Sequence, residues 1–328
     1  NSPSLLHLGR NREKLEKKRN QLLMHLYQKE LIDKIDYELA ISEPLPQHPH
    51  PLPKLAPHLV TQIHKQHPGK HNRTTISRPL QILTEEVLDR WNMKFAQNGI
   101  QNLAALIVDL STNEVISYNG NVQFGTEKEG NQIDIIQSLR STGSILKPFL
   151  YCAMLQEGVM LPNELLPDVP ININGFSPKN YSLQYDGAVH ANEALARSLN
   201  IPAVISLRKY GVPKFHQLLK EYGFTSLKKT SSHYGLSLIL GGAEATLWEV
   251  ANAYGQMAQA VNNYEASASS SIIPSHFNYL VENDEKAAIS SFIDAGAAWH
   301  TLEALTNVNR PEEFDWQSIP SVQKVAWK

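Results

Sequence analysis

Six prolines between positions 44 and 57 (Pro44, Pro46, Pro49, Pro51, Pro53 and Pro57) divide this 328-residue chain into two unequal parts. Each proline fixes φ and removes a backbone donor, so neither a helix nor a central strand can run through the stretch. An extended, polyproline-like linker is therefore predicted from Pro44 to about Arg78 (residues 44–78). Eight of the 13 histidines fall in the N-terminal part: His7, His25, His48, His50, His58, His64, His67 and His71. Imidazoles invite a metal reading. No cysteine or carboxylate cluster accompanies them, and stiff backbone converges ligands poorly, so solvated linker is the prediction and no metal site is assigned.

Residues 1–43 are charged and helix-prone. Leu15, Leu22, Leu23 and Leu26 form one stripe at near-helical spacing, and Leu31, Ile32, Ile35 and Leu39 another, which predicts two helices. The stretch is too short for a core of its own and should dock on a preceding domain. The sequence opens at Asn1 with no basic-then-apolar leader, so a piece of a longer protein is expected.

Residues 79–328 carry the globular pattern. Pro79 suits a helix start, and Leu80, Leu83, Val87, Trp91 and Phe95 keep a 3.6-residue period towards Gly99. Leu103–Leu110 and Val115–Tyr118 read as strands around a turn at Ser111–Glu114, and a helix is predicted over Ser144–Gln156. A Pro-, Asn- and Gly-punctuated loop follows to Val189, then helices near 191–197, 202–210, 213–222 and 246–261. Ala266–Ser271 reads as a loop and Val322–Trp327 as the start of a strand. The predicted class is α+β (mixed α/β), helices around a mainly antiparallel sheet. Thirty Lys and Arg against 32 Asp and Glu give a net charge of −2, so no basic field points to nucleic acid. The longest aliphatic run, Leu103–Val108, is too short to cross a bilayer. Cys152 is the one cysteine, which excludes an intramolecular disulfide; its apolar neighbours read as core, as do Trp248 and Tyr254.

Chemistry begins at Arg140–Tyr151, where Ser144 and Lys147 lie three apart and share one face of a helix. A serine hydroxyl needs a base to become a nucleophile, and a neutral lysine amine can serve. Helix N-terminal potential and burial both disfavour the ammonium form. Gly143 allows close approach and leaves the first N–H groups free to face an oxyanion. The spacing alone is cheap, because Ser206…Lys209, Ser226…Lys229 and Ser321…Lys324 share it. Ser144 differs in its apolar surroundings, with a helix N-cap serine as the alternative. Ser198-Leu199-Asn200 should sit in a tight connection between two helices, where a hydroxyl and an amide can relay a proton and bind a substrate amide, or merely cap.

The order of these elements, Gly-Ser-x-x-Lys, then Ser-x-Asn, then a late stretch reaching Lys328, resembles the active-serine penicillin-recognising enzymes. With Phe176–Asn180, Tyr185–Val189, Ala194–Val204 and Gly235–Gly242 running into Leu247–Met257, the chain is similar to class A penicillin-binding proteins, bifunctional peptidoglycan synthases, and most to their 1C type. Residues 1–43 resemble the last helices of that family's glycosyltransferase domain and carry none of its catalytic glutamates. The resemblance implies a penicillin-binding transpeptidase (β-lactamase-like) fold over 79–328, incomplete at its C-terminal end. It further implies that Ser144 attacks a D-Ala carbonyl of a peptidoglycan stem peptide, Lys147 takes its proton, Ser198 passes a proton to the leaving amine and Asn200 orients the peptide. Lys328 would be the lysine of a Lys-Thr/Ser-Gly strand whose last two residues are absent here, so poor acylation is expected of this piece. No metal or organic cofactor is implied. The implied partners are stem peptides, a lipid-linked precursor of the parent protein and β-lactams. The implied location is the periplasmic face of the bacterial inner membrane, through an anchor outside this chain. A D,D-carboxypeptidase or β-lactamase-like hydrolase and a non-catalytic scaffold remain the alternatives. The glutamate of a Glu-x-x-Leu-Asn deacylating motif is missing, since Ala196 holds its position ahead of Arg197-Ser198-Leu199-Asn200.

Overall fold

The computed structural model describes residues 8–48, 54–122, 130–264, 272–274, 277–281, 288–290, 292–308 and 325–328. It divides into two compact units, Asn1–Lys54 and Leu55–Lys328. In the first, α1 (Arg12–Gln28) and α2 (Lys34–Ser42) pair, with Tyr27 stacked on Tyr37 at 5.0 Å between ring centroids. Asp33 caps α2 by accepting from Asp36 N at 2.7 Å. Arg12 donates to the carbonyls of Leu45 and Pro46, both at 2.8 Å, and Arg19 to that of Glu43 at 2.6 Å, which holds the segment after α2 against α1. Neither helix buries a residue.

The second unit corrects the reading of residues 55–78 as solvated linker. Helix α3 (Pro57–Gln66) forms there and buries His58, Leu59 and Ile63. Pro57 is the last of the six prolines, and at a helix start its missing N–H costs nothing. Leu59 and Ile63 then stand on one face and pack in a core with Val115, Tyr118, Ile136 and Phe277. Positions 49–53 of the proline run lie outside the described residues.

Helix α4 (Arg78–Ala96) runs where the apolar period placed it, yet it is rotated from the expected face. Leu83 and Trp91 are exposed, while Gln81, Thr84 and Asn92 are buried. The cause is Gln81, whose amide is fully used. Its Nε2 donates to Leu55 O (2.7 Å), Asn119 Oδ1 (2.8 Å) and Tyr118 O (3.1 Å), and its Oε1 accepts from Tyr118 N (2.8 Å) and Ser117 Oγ (3.1 Å). A satisfied buried amide outweighs one exposed leucine. It docks α4 on β2 (Glu114–Asn119), which pairs antiparallel with β1 (Ala105–Asp109) through a register shift at Ile107/Val108. Ser117 and Asn119 are thus buried strand residues.

The main core is built on α5 (Lys147–Gln156), which follows β3 (Arg140–Ser141) and buries eight of its ten residues. A helix apolar on all sides belongs inside. Around it in chain order come β4 (Leu165–Asp168), β5 (Gly187–His190), α6 (Ala191–Ala196), α7 (Asn200–Tyr210) and α8 (Val212–Glu221). Then follow α9 (Ser231–Tyr234), a 3-10 helix over Gly235–Leu240, β6 (Glu244–Ala245), α10 (Leu247–Asn262), β7 (Ile272–Pro274), β8 (Ala288–Ser290) and α11 (Ala295–Thr306). Phe149 of α5 meets Tyr222, Tyr254 and Phe224 edge-on, with ring centroids 4.8 to 5.8 Å away. The α+β class holds. Among the described residues the strands form four separate antiparallel pairs: β1–β2, β3–β6, β4–β5 and β7–β8. The expected late strand is not formed over Val325–Lys328, although Trp327 N donates to Leu305 O at 3.1 Å. Positions 322–324 and the Ala266–Ser271 loop lie outside the described residues.

Helix α10 is anchored by a buried carboxylate. Glu249 completes a capping box with Thr246 and also accepts from Thr225 Oγ1 (2.7 Å), Ser226 N (2.9 Å) and Ser226 Oγ (2.6 Å). Burial alone would raise its pKa, but these donors hold it below the usual glutamate range. Glu249→Gln is expected to lower the unfolding free energy by about 2 kcal/mol in urea titration at pH 7. A carboxylate depressed in the folded state stabilises above its unfolded pKa, and that contribution fades as pH falls through the folded value. The variant and parent are therefore expected to converge below about pH 4.

Candidate active site

The 143–146 turn that leads into α5 is held by the β3–β6 pair. Thr142 N donates to Ala243 O at 3.0 Å, and Ser141 Oγ to Gly241 O at 2.8 Å. A Cβ at Gly241 (φ +99°) would stand 2.7 Å from Ser141 Oγ and 2.9 Å from Gly143 Cα, so only glycine lets the two turns touch. Ser144 does not open the helix as the spacing predicted. It lies in the turn, and α5 starts at Lys147. Pro148 is the reason: it has no N–H to give Ser144 O, which instead accepts from Lys147 N at 3.2 Å, a 3-10 closure. Gly143 takes the left-handed φ of +51° that the turn needs. Ser144 is half-buried, and among the described residues its backbone N–H has no acceptor.

Lys147 is 3% exposed. Its Nζ donates to Asn200 Oδ1 at 2.7 Å and Ser198 O at 2.8 Å, with Ser198 Oγ at 3.4 Å. No hydrogen bond runs from Lys147 to the Ser144 hydroxyl among the described residues, so the structure pairs the amine with the Ser-x-Asn segment first. Two of the three contacts are to oxygens that can only accept. A neutral amine has two N–H groups, and both are thereby used, which leaves its lone pair for a hydroxyl. Burial pulls the Lys147 pKa down to about 7, and the positive charge of Lys328 adds to the shift. Leu150, Met154, Leu199, Pro202 and Ala203 line a small cavity of about 30 Å³ beside Lys147, which keeps that flank apolar. Lys328 is exposed as a residue, yet its Nζ donates to Leu195 O at 2.9 Å, and burial of that tip pulls its pKa down to about 8.

Ser198 ends α6 in a left-handed conformation (φ +57°). Ser198 N donates to Leu195 O and Leu199 N to Ala194 O, both at 3.0 Å, which is the Schellman closure with serine where glycine is usual. Asn200 opens α7 with both ends of its amide engaged, since Nδ2 donates to Lys179 O at 2.8 Å. That bond fixes which end is oxygen.

The structure thus brings Lys147, Ser198, Asn200 and Lys328 together, with Ser144 and Gly143 on the turn just ahead of Lys147. Two participants were not singled out from sequence, Asn180 and Asp168. Asn180 Oδ1 accepts from Asn200 N at 2.9 Å, and Asn180 Nδ2 donates to Asp168 Oδ1 at 2.7 Å. The look-alike pairs are occupied elsewhere: Lys209 donates to Val159 O at 2.8 Å and Ser226 Oγ to Glu249 at 2.6 Å, while Ser321 and Lys324 lie outside the described residues. Cys152 is buried, with its thiol pushed up to about 12 by desolvation. Trp248 packs edge-on against Phe277, and Tyr254 donates to Ile145 O at 2.8 Å, so both are structural.

The family description "Penicillin binding protein transpeptidase domain" matches residues 103–313. The chain belongs to the penicillin-binding protein transpeptidase family. Penicillin-binding protein 1C of Escherichia coli (strain K12) is 29% identical over 327 residues, 100% of this chain and 40% of that protein. Penicillin-binding protein 1A of the same organism is 32% identical over 184 residues, 54% of this chain and 21% of that protein. Within the family the likeness is to class A members of the 1C kind. The chain spans 40% or less of the length of these two relatives. Penicillin-binding protein PonA1 from Mycobacterium tuberculosis shares the fold, with a TM-score of 0.60 at 17% identity over 77% of this chain and 68% of that one. No helix among the described residues is long and apolar enough to cross a membrane.

A penicillin-binding transpeptidase domain that holds serine in a glycine position invites a stability test. Ser198→Gly relieves left-handed strain and gives up backbone entropy, terms of similar size. Its unfolding free energy is expected to stay within about 1 kcal/mol of the parent in denaturant titration, and a larger loss would show that the Ser198 side chain supports the fold.

Proposed function

We propose that the chain is the D,D-transpeptidase part of a class A peptidoglycan synthase and works through an acyl-enzyme on Ser144. The observation that carries this is the state of Lys147: buried, pKa drawn down to about 7, both N–H groups of its neutral form committed to carbonyl-type oxygens, and one turn after a serine. Hydrogen bonds between a nucleophile and its base are often long until substrate is bound, so the absence of a Ser144–Lys147 bond is compatible with this reading.

In this mechanism Ser144 Oγ attacks the carbonyl carbon of the penultimate D-Ala, and its proton passes to the Lys147 lone pair. The oxyanion is stabilised by the Ser144 N–H, which has no acceptor among the described residues. Collapse breaks the peptide C–N bond and expels the terminal D-Ala, whose amine takes a proton through Ser198. An amine from a second stem then attacks the ester carbonyl, forming the crosslink and returning the proton to Ser144. Asn200 Nδ2 keeps one N–H for a substrate carbonyl, and the Lys328 ammonium stands ready for a substrate carboxylate. A β-lactam would acylate the same serine and stall, because its leaving group stays tethered. Glycan polymerisation, the lipid-linked precursor, the membrane anchor and the periplasmic location belong to the whole protein in this proposal.

Labelled penicillin and intact-mass analysis test it on the full-length protein. One stable adduct is expected, lost in Ser144→Ala. An adduct that turns over within minutes would make the protein a hydrolase, and none at all a scaffold. The lone pair exists only on the neutral amine, so the acylation rate is expected to fall as pH drops through about 7, tenfold per unit below it. A rate flat from about pH 5.5 to 8.5 would remove Lys147 as the base.

A further inference from the structure

We propose that Asn180 is a positioning residue that sets the Lys147 amine through Asn200, with buried Asp168 as its anchor. The inference deepens the transpeptidase reading and rests on it for its rate measurement.

After the cap residue Leu199, whose N–H goes to Ala194 O, helix α7 leaves its first three N–H positions without intrahelical partners, which makes up the four orphan donors of every helix start. At Asn200 and Ile201 the N–H groups donate to the same atom, Asn180 Oδ1, at 2.9 and 3.3 Å. The third position is Pro202, which has no N–H. One side-chain oxygen therefore completes the N-terminus of α7 from outside the helix. The other end of the amide is equally committed, because Nδ2 donates to Asp168 Oδ1 at 2.7 Å and to Gln184 O at 3.0 Å. Asp168 is 0% exposed and uses its second oxygen to accept from Asp186 N at 3.0 Å. The neighbouring Lys179 O accepts from Asn200 Nδ2 at 2.8 Å. Asn200 is thus gripped at its backbone and its side chain by two consecutive residues of one loop, and the remaining face of its amide, Oδ1, receives Lys147 Nζ at 2.7 Å.

The chain Asp168–Asn180–Asn200–Lys147 has no slack, since Asn180 spends its two donors and both lone pairs on four partners. A rotation of the Asn200 amide away from Lys147 would free one Lys147 N–H and let the lone pair turn away from the serine. Asp168 and Asn180 come from β4 and the loop before β5, elements that contribute no group to the proposed chemistry, so their buried hydrogen bonds serve the position of Asn200.

A double-mutant cycle tests this on the full-length protein. Asn180→Ala is expected to slow penicillin acylation about 10- to 100-fold. In an Asn200→Ala background the same change is expected to cost nothing further, whereas a defect that is merely structural would multiply with it. The second readout does not depend on acylation. The Lys147 titration, followed by NMR of 13C-lysine, is expected to move by about half a unit to one unit in Asn180→Ala and no further in the double variant. A Lys147 midpoint unchanged in Asn180→Ala, or independent multiplicative losses, would overturn the proposal. Should the parent fail to acylate, the transpeptidase reading falls while the NMR cycle still decides the positioning role. If Asn180→Ala does not fold, Asp168→Asn provides the same comparison, because it replaces one acceptor oxygen of the anchor with a donor.

Discussion

A lysine amine held almost out of water by two carbonyl-type oxygens is the interaction on which the rest of this structure depends. Lys147 occupies the first position of a helix whose next seven residues, Pro148 to Met154, are all buried. An ammonium group there would lose most of its hydration and would face the field of a helix N-terminus and the Lys328 charge. The neutral form avoids all three costs. What it requires in exchange is acceptors for its N–H groups, and the Ser198 carbonyl and Asn200 amide supply them. The ammonium form could use the same acceptors, so desolvation and the Lys328 charge are what tip the balance towards the neutral amine.

That arrangement draws on segments far apart in the chain, each bent by a local device. Pro148 denies Ser144 O its helical donor and leaves the serine in a tighter turn ahead of α5. Gly241 allows the turn before β6 to touch Gly143. A serine in left-handed conformation closes α6 in the same step that points its carbonyl at Lys147. Ser198 and Gly241 sit in backbone conformations that are costly or closed to most residues, and such positions gather where geometry matters more than stability. The large apolar core behind α5 supplies the stability that supports them.

Much of this was legible in the sequence. Ser144, Lys147, Ser198 and Asn200 were singled out from spacing and context, and the order of the motifs gave them roles only through the family resemblance; the structure sets Lys147 beside Ser198 and Asn200 and leaves Ser144 in the turn ahead of the helix. The helices near 191–222 and 246–261 were legible from period and caps. Three features were not, for separate reasons. Helix α3 hides in a proline-rich run because a proline that ends one extended stretch can equally begin a helix. Helix α4 shows Leu83 and Trp91 to solvent because Gln81, which no apolar pattern records, finds five hydrogen bonds on the other side. Helix α11 is rich in alanine with a glycine in its first turn, and gives little amphipathic signal. Asn180 and Asp168 escaped as individual residues because their role is relational. A buried amide matters through what it touches, and nothing in the linear order places residue 168 beside 180 or 180 beside 200.

Direct observation of the Lys147 proton is the measurement closest to the central claim. With 13C-labelled lysine, the Lys147 ε-carbon in the unmodified protein should titrate with a midpoint near 7, well below the ordinary lysine value of about 10.4. A midpoint near that ordinary value would contradict it: the amine would then carry its proton at neutral pH, and Ser144 would have no base in Lys147.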